Sequence, residues 1–249
     1  MKTFGLIGRK LSHSFSKRFF ENKFANENIV GNEYKLFEID NINSFSQLLK
    51  DHPSISGLNV TIPYKNEVIP FLDALDESAE KVGAVNVIKV NTESSGEKKL
   101  IGHNTDYLAF KNSLVNWLKG KEVQALVLGT GGASQAICTT LSELSIPFLS
   151  VSRSSEKGLT YDEISSKPEL VEHHRLIINT TPLGMFPNVD QYPMIDYALL
   201  SKDYFLYDLV YNPEVTLFMK KGKARGAEIK NGLEMLHLQA EYSWEIWNK

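Results

Sequence analysis

Cysteine is almost missing from this chain: Cys138 stands alone among 249 residues. One thiol closes no internal disulfide, and without a CxxC pair the redox and zinc arrangements built on that spacing are excluded. A reducing cytoplasm is the compartment this predicts. Long apolar runs are missing too. The opening MKTFGLIGRK breaks its apolar run at Arg9 and Lys10, so no secretory leader is expected. No run approaches the ~18 residues of a membrane-spanning helix. Nor is there a basic excess: 27 Lys and Arg against 30 Asp and Glu leave a net charge of −3. That argues against a general nucleic-acid or membrane-surface binder and leaves room for a local basic pocket holding a small anion. The six histidines show no HExxH or similar spacing, so no metal is expected.

What is present is ordinary globular composition, 42% hydrophobic and 23% charged. Strand and helix patterns alternate from start to end. Strands are predicted at 3–7, 34–39, 55–60, 86–90, 100–102, 123–128, 148–151, 176–179 and 205–208, with a short one near Glu228. Helices are predicted at 14–28, 43–50, 106–119, 133–144 and 233–247, and a short one starting near Tyr64, just after Pro63. The polar loop 91–99 joins two of the strands. Alternation of this kind predicts α/β architecture with parallel sheets. The largely apolar strand at 123 reads as a fresh start. The expected division is therefore an N-terminal α/β substrate domain, residues 1–103 with 234–249 returning to it. A Rossmann-type, doubly wound parallel-sheet nucleotide domain is expected over 104–233, with a cleft between the two.

The most legible motif is VQALVLGTGGAS at 123–134. A buried strand ends at Gly129 and a helix opens at Ala133. Gly129 allows the tight turn and Gly131 lets the backbone approach a pyrophosphate. The helix N-terminus offers free N–H groups to that anion. Gly129, Thr130, Gly131, Gly132, Ala133 and Ser134 are the expected contacts, with Ser134 where the usual third glycine stands. The next strand ends Ser152-Arg153-Ser154, where an NAD site would carry an acid for the ribose 2′-OH. Arg153 with Ser152 and Ser154 suits a 2′-phosphate instead, and Lys157 adds charge nearby. The cofactor read from these residues is NADP(H). Thr180, in Asn179-Thr180-Thr181-Pro182, follows another apolar strand, where ribose and nicotinamide contacts belong.

Reducing a ketone with a hydride needs a proton donor for the developing alkoxide, and a lysine can serve both directions. Lys65, at the end of GLNVTIPYK (57–65), is the candidate, with Asn59 and Thr61 placed to bond ring hydroxyls. Asp106, in GHNTD (102–106), is the expected partner that orients Lys65 and shares the proton work. Taken singly, Lys65 reads equally as a surface lysine, Asp106 as a helix N-cap, and Ser14 and Ser16 as caps.

Taken together, an ordered set of motifs spans nearly the whole chain. They are His13-Ser14-Phe15-Ser16, GLNVTIPYK, Gly83-Ala84-Val85-Asn86, Asn104-Thr105-Asp106, GTGGAS, the serine–arginine strand end, DLVYNP at 208–213, and Asn231-Gly232 with Met235-Leu236 and Gln239. In this the chain resembles the shikimate dehydrogenase family. The resemblance implies the reversible reaction 3-dehydroshikimate + NADPH ⇌ shikimate + NADP⁺, in aromatic amino-acid biosynthesis. It implies that Ser14 and Ser16 hold the substrate carboxylate and that Asn59, Thr61, Asn86, Tyr211 and Gln239 surround the ring. Lys65 and Asp106 would be the catalytic pair, and Glu77, Leu209 and Gly232 would lie near the nicotinamide. The implied partners are the small-molecule substrate and at most a second copy of the chain. Lys10, Lys17, His103, Tyr107 and Ser152 depart from the family's common pattern. Two alternatives stay open: a quinate/shikimate dehydrogenase using NAD(P), and a regulator that senses NADP(H) without turnover.

Overall fold

Lys2–Gly8 (β1) is buried along nearly its whole length because it has a strand on either side and a layer on either face. The computed structural model describes residues 1–11, 14–93 and 96–249, and at Lys157 the backbone alone. His13, part of the serine motif, lies outside the described residues. Two compact units emerge, one formed by Met1–Tyr107 with Leu238–Lys249 and the other by Leu108–His237.

In the first unit β1 is followed by Phe15–Asn26 (α1), Asn32–Glu38 (β2), Phe45–Asp51 (α2) and Ile55–Val60 (β3). Ala74–Leu75 (β4), Glu77–Val82 (α3), Val87–Thr92 (β5), Lys98–His103 (β6) and the start of Thr105–Leu118 (α4) complete it. The sheet runs β2-β1-β3-β5-β6-β4. Its first three strands are parallel, but β5 is antiparallel to both β3 and β6. The expectation of parallel sheets is corrected here: the β5–β6 connection is too short for a crossover, so the two strands close as a hairpin. One face packs Ile7, Phe37, Phe45, Leu58 and Ile88 into a core. The other packs Phe4, Leu6, Phe20 and Tyr34 against the closing helix, whose Trp247 donates its indole N–H to Ile88 O (3.1 Å). Gly57 makes room for that ring: a Cβ there would meet it at 2.4 Å.

The helix expected to start near Tyr64 does not form. Residues 62–68 make successive turns, and only Ile69–Phe71 coils, as a 3-10 turn. The Lys65 carbonyl, which a helix would use four residues on, accepts instead from Val85 N (2.8 Å), and Ile69 N turns to Asn66 O (3.3 Å).

The second unit carries the rest of α4, then Ala125–Leu128 (β7), Gly132–Glu143 (α5), Phe148–Ser152 (β8), Leu159–Thr160 (β9), Tyr161–Ser166 (α6) and Pro168–His173 (α7). Leu176–Asn179 (β10), Phe205–Asp208 (β11), Leu217–Lys223 (α8), Glu228–Asn231 (β12) and the start of Leu233–Asn248 (α9) follow. The sheet order is β12-β11-β10-β7-β8-β9, and every pairing in it is parallel. This is the doubly wound arrangement with its switch point at β7 and β10. All four residues of β7, of β10 and of β11 are buried, as strands covered on both faces require. Among the described residues, no helix is long and apolar enough to cross a membrane.

Candidate active site

The turns after β3 carry Lys65 out of the strand end, and two anchors hold them: Tyr64 OH donates to Ile39 O (2.5 Å), and Val85 N donates to Lys65 O (2.8 Å). Lys65 Nζ lies 2.6 Å from Asp106 Oδ2, and both side chains are largely buried, 15% and 12% exposed. Asp106 is not the cap of α4. Asn104 Oδ1 accepts from Tyr107 N (3.1 Å), so the cap is Asn104, and Asp106 sits in the first turn, where the positive end of the helix favours a carboxylate. That leaves the Asp106 side chain free to face Lys65.

Asn86 fixes this turn from below. Its Oδ1 accepts from Thr105 N (2.7 Å), and its Nδ2 donates to Thr105 Oγ1 (3.0 Å). Asn59 joins the same network: its Nδ2 donates to Asn86 O (3.4 Å) and to Ser243 Oγ (2.9 Å), and its Oδ1 accepts from Tyr34 OH (2.8 Å). Ser16 is a side-chain partner of the Tyr34 phenol, which burial drives far above its ordinary range. Ser243 in turn donates to Gln239 O (2.7 Å), one turn earlier on α9. Ser16 and Gln239 are therefore joined to Asn59 through Tyr34 and Ser243, and Asn86 is joined to it directly. Sequence reasoning passed over Tyr34 and Ser243 because neither stands in a motif. Both amide hydrogens of Asn59 are engaged, so it braces its neighbours and has only acceptor capacity to spare, whereas Asn86 Nδ2 makes one donation and keeps a second hydrogen. Thr61 is held by its backbone, N–H to Ile7 O (2.9 Å). Ser14 sits at the head of α1 without making a cap bond, and its buried Oγ has no partner among the described residues. A buried hydroxyl in that state keeps its hydrogen-bonding capacity unspent. Glu77, by contrast, is exposed at the start of α3 and paired with Lys81 (2.7 Å). His103 is turned to Asp76, 2.7 Å from Nδ1 to Oδ2.

In the second unit Gly129 has φ +113, and a Cβ there would strike Thr180 Oγ1 at 2.6 Å, so glycine is required on both counts. Thr180 is pinned by its hydroxyl to Leu128 O (2.8 Å). A Cβ on Gly131 would meet nothing within 4 Å, so the backbone is bare beside the N-terminus of α5, whose first turn carries no acid. Gly132, Ala133 and Ser134 form that first turn, and Ser134 is buried with its hydroxyl 3.8 Å from Cys138 Sγ. At the end of β8, Ser152 Oγ accepts from Ser154 N (3.2 Å) and lies 3.4 Å from Thr130 Oγ1. Ser154 Oγ accepts from Glu156 N (3.4 Å). The Ser154 hydroxyl thus keeps a proton to donate, and the Ser152 hydroxyl shares its pairing with Thr130. Arg153 is exposed and makes no ion pair among the described residues. An open glycine edge, a helix N-terminus without acids and an uncommitted arginine fit a phosphorylated dinucleotide. Leu209 N donates to Asn179 O (3.0 Å), and a Cβ on Gly232 would meet Leu209 O at 2.2 Å, so these two strand ends touch. Tyr211 follows on the same segment, its phenol raised by burial. Among the described residues, no group of three His, Cys, Asp or Glu could hold a metal ion.

Comparison with known proteins agrees with this geometry. The shikimate dehydrogenase substrate binding domain matches residues 6–88. A "Shikimate dehydrogenase (NADP(+))" of Clostridium beijerinckii is 38% identical over 100% of this chain and 93% of its own length. The crystal structure of shikimate dehydrogenase 1 from Peptoclostridium difficile is 36% identical, with TM-score 0.82, covering 100% of this chain and 92% of that one. The Thermus thermophilus shikimate 5-dehydrogenase, solved with NADP(H) and shikimate, is 25% identical with TM-score 0.84, covering 99% and 93%. Relatives at this identity, matched over the whole of this chain and more than nine-tenths of their own, leave one assignment: the chain belongs to the shikimate dehydrogenase family.

Proposed function

We propose that this chain catalyses the reversible, NADPH-dependent reduction of 3-dehydroshikimate to shikimate, with Lys65 and Asp106 as its acid–base pair. The observation that carries the reading is the largely buried contact of Lys65 Nζ with Asp106 Oδ2 at 2.6 Å. Bound NADPH supplies the hydride that reduces the ketone carbon. The ketone oxygen becomes a hydroxyl by taking a proton from the Lys65 ammonium, and in the oxidative direction Lys65 takes that proton back. Asp106 holds Lys65 in place and balances its charge as the proton moves.

The carboxylate end of the substrate suits Ser14 and Ser16. Neutral hydroxyls bond an anion without burying a counter-ion, and the unpartnered Ser14 Oγ supports that role. Thr61, Asn86, Tyr211 and Gln239 are assigned to the ring, Asn59 chiefly to bracing them. In the second unit the stretch Gly129–Ser134 is assigned to the pyrophosphate. Arg153 with Ser152 and Ser154 takes the 2′-phosphate, and Thr180, Leu209 and Gly232 the nicotinamide side. Glu77 is the assignment with least structural support, since it already pairs with Lys81. A cytoplasmic setting accords with the single cysteine.

The test is a rate assay of the purified protein on shikimate and on quinate, each with NADP⁺ and with NAD⁺. Reduced-nicotinamide absorbance should rise fastest with shikimate and NADP⁺. Faster turnover of quinate with NAD⁺ would overturn the assignment. A flat trace in all four arms beside saturable NADPH binding would identify a sensor in place of an enzyme.

A further inference from the structure

The second unit buries a carboxylate that this chemistry leaves unused. Asp208, the last residue of β11, is fully buried. Three donors converge on it: Asn179 Nδ2 (3.0 Å) and Val210 N (3.0 Å) on Oδ1, and the Thr216 hydroxyl (2.5 Å) on Oδ2. Among the described residues no Lys, Arg or His pairs with it. A buried anion without a counter-ion is costly, so its acceptor-only character calls for a reason.

That character dictates the orientation of Asn179. Facing a carboxylate, the amide must present Nδ2, which turns Oδ1 towards Thr181. Thr181 N (3.0 Å) and Thr181 Oγ1 (2.6 Å) both donate to it, and Thr181 Oγ1 then accepts from Leu183 N (3.3 Å). On the other side Thr216 caps α8 by accepting from Met219 N (3.4 Å). One side chain therefore governs the exits of β10 and β11 and the start of α8, the segments that carry Thr180 and Leu209.

We propose that Asp208 is a positioning residue for NADP(H): its ionised carboxylate holds the segments 179–183 and 209–216 in their binding form, so that protonating it weakens the cofactor. This rests on the NADP(H) reading of the unit. Burial lifts the Asp208 carboxyl to about 6 against the three hydrogen bonds that lower it, so the switch falls in an accessible range. The titratable side chain facing it is Tyr197, on the 3-10 turn 197–199, whose phenol stays neutral there because burial first, then Tyr192, Asp208 and Tyr161, raise it. A protonated Oδ2 competes with the Thr216 hydroxyl, which donates to it, and so disturbs the α8 cap.

The experiment measures NADPH dissociation constants by fluorescence for the wild type and Asp208→Asn between pH 5.0 and 7.5. The amide keeps an acceptor for Asn179 and Val210 and cannot titrate. The 2′-phosphate titrates near pH 6 with either protein, so the ratio of the two constants isolates Asp208. We expect that ratio, wild type over variant, to rise at least about threefold on acidification. A ratio that stays level overturns the proposal. Amide exchange of the ligand-free proteins is the second readout: relative to the intrinsic rate at each pH, segments 179–183 and 209–216 should be less protected at pH 5.0 than at 7.5 in the wild type alone, and equal behaviour of the two proteins overturns the proposal. If the wild type shows no saturable NADPH binding, the dinucleotide reading fails, while exchange still decides whether Asp208 holds these segments.

Discussion

Replacing Lys65 and Asp106 singly and together tests the proposed chemistry most directly. At 2.6 Å the bare attraction of the pair is about 6 kcal/mol at an effective dielectric of about 20. Desolvation of two largely buried groups offsets most of it, leaving a net coupling of roughly 1–3 kcal/mol. The two single variants should not be equal. In Lys65→Ala the remaining Asp106 carboxylate still sits in the first turn of α4, where the helix supports it, so unfolding should cost only about 1 kcal/mol less. In Asp106→Ala the buried ammonium keeps no such support, and the loss should reach about 2–3 kcal/mol. Each single change should lower turnover by ~10² or more. Because the two act as one unit, the double variant should lose about as much as either single one, and the losses should not multiply. NADPH affinity should stay within about twofold of wild type throughout. The assays are urea unfolding at pH 7 and the rate of NADP⁺ reduction with shikimate. Turnover losses that multiply to ~10⁴, or a Lys65→Ala protein that keeps its turnover, would refute the pairing; lost NADPH binding would move Lys65 to another role.

Three further outcomes follow from the geometry. Arg153→Ala should weaken NADP⁺ by roughly 10–100-fold, the worth of charge-assisted hydrogen bonds, and NAD⁺ far less; equal weakening of both, measured by titration, would remove Arg153 from the 2′-phosphate. Tyr34→Phe keeps the ring stacked on Phe20 (centroids 4.6 Å apart) but strips the donor from buried Asn59 Oδ1. It should cost about 1–2 kcal/mol and raise the KM for shikimate more than it lowers kcat; an unchanged KM would dismiss the brace. Asp208 also makes stability depend on pH. Its carboxyl rises from the ordinary 3.8 to about 6 in the folded chain, so between those values the native state keeps a proton that the unfolded chain has lost. Its contribution to stability therefore falls as pH climbs from about 4 to about 6, by up to about 3 kcal/mol, then levels off. Asp208→Asn should gain on the wild type across that window in urea unfolding, and a constant difference would contradict the buried charge.

Much of this protein was legible from order along the chain alone. Apolar runs at 125–128, 176–178 and 205–207 announced strands, and the structure buries each of them. The strand-turn-helix context around Gly129 announced the dinucleotide edge. These signals are local: hydrophobic period, glycine and the neighbouring element lie within a dozen residues of one another. What tertiary structure alone decided depends on partners far apart in sequence. Lys65 looked like the opening of a helix, and Val85, twenty residues on, takes the carbonyl that a helix would have needed. Asn59 looked like a ring contact, and Tyr34 and Ser243, 25 and 184 residues away, occupy its amide. Asp208 looked like one letter of DLVYNP, and only the register of β10 beside β11 sets Asn179 against it. A side chain's chemistry is written in its own residue type, but the bonds it has left to give are settled by whichever strands and helices the fold packs around it.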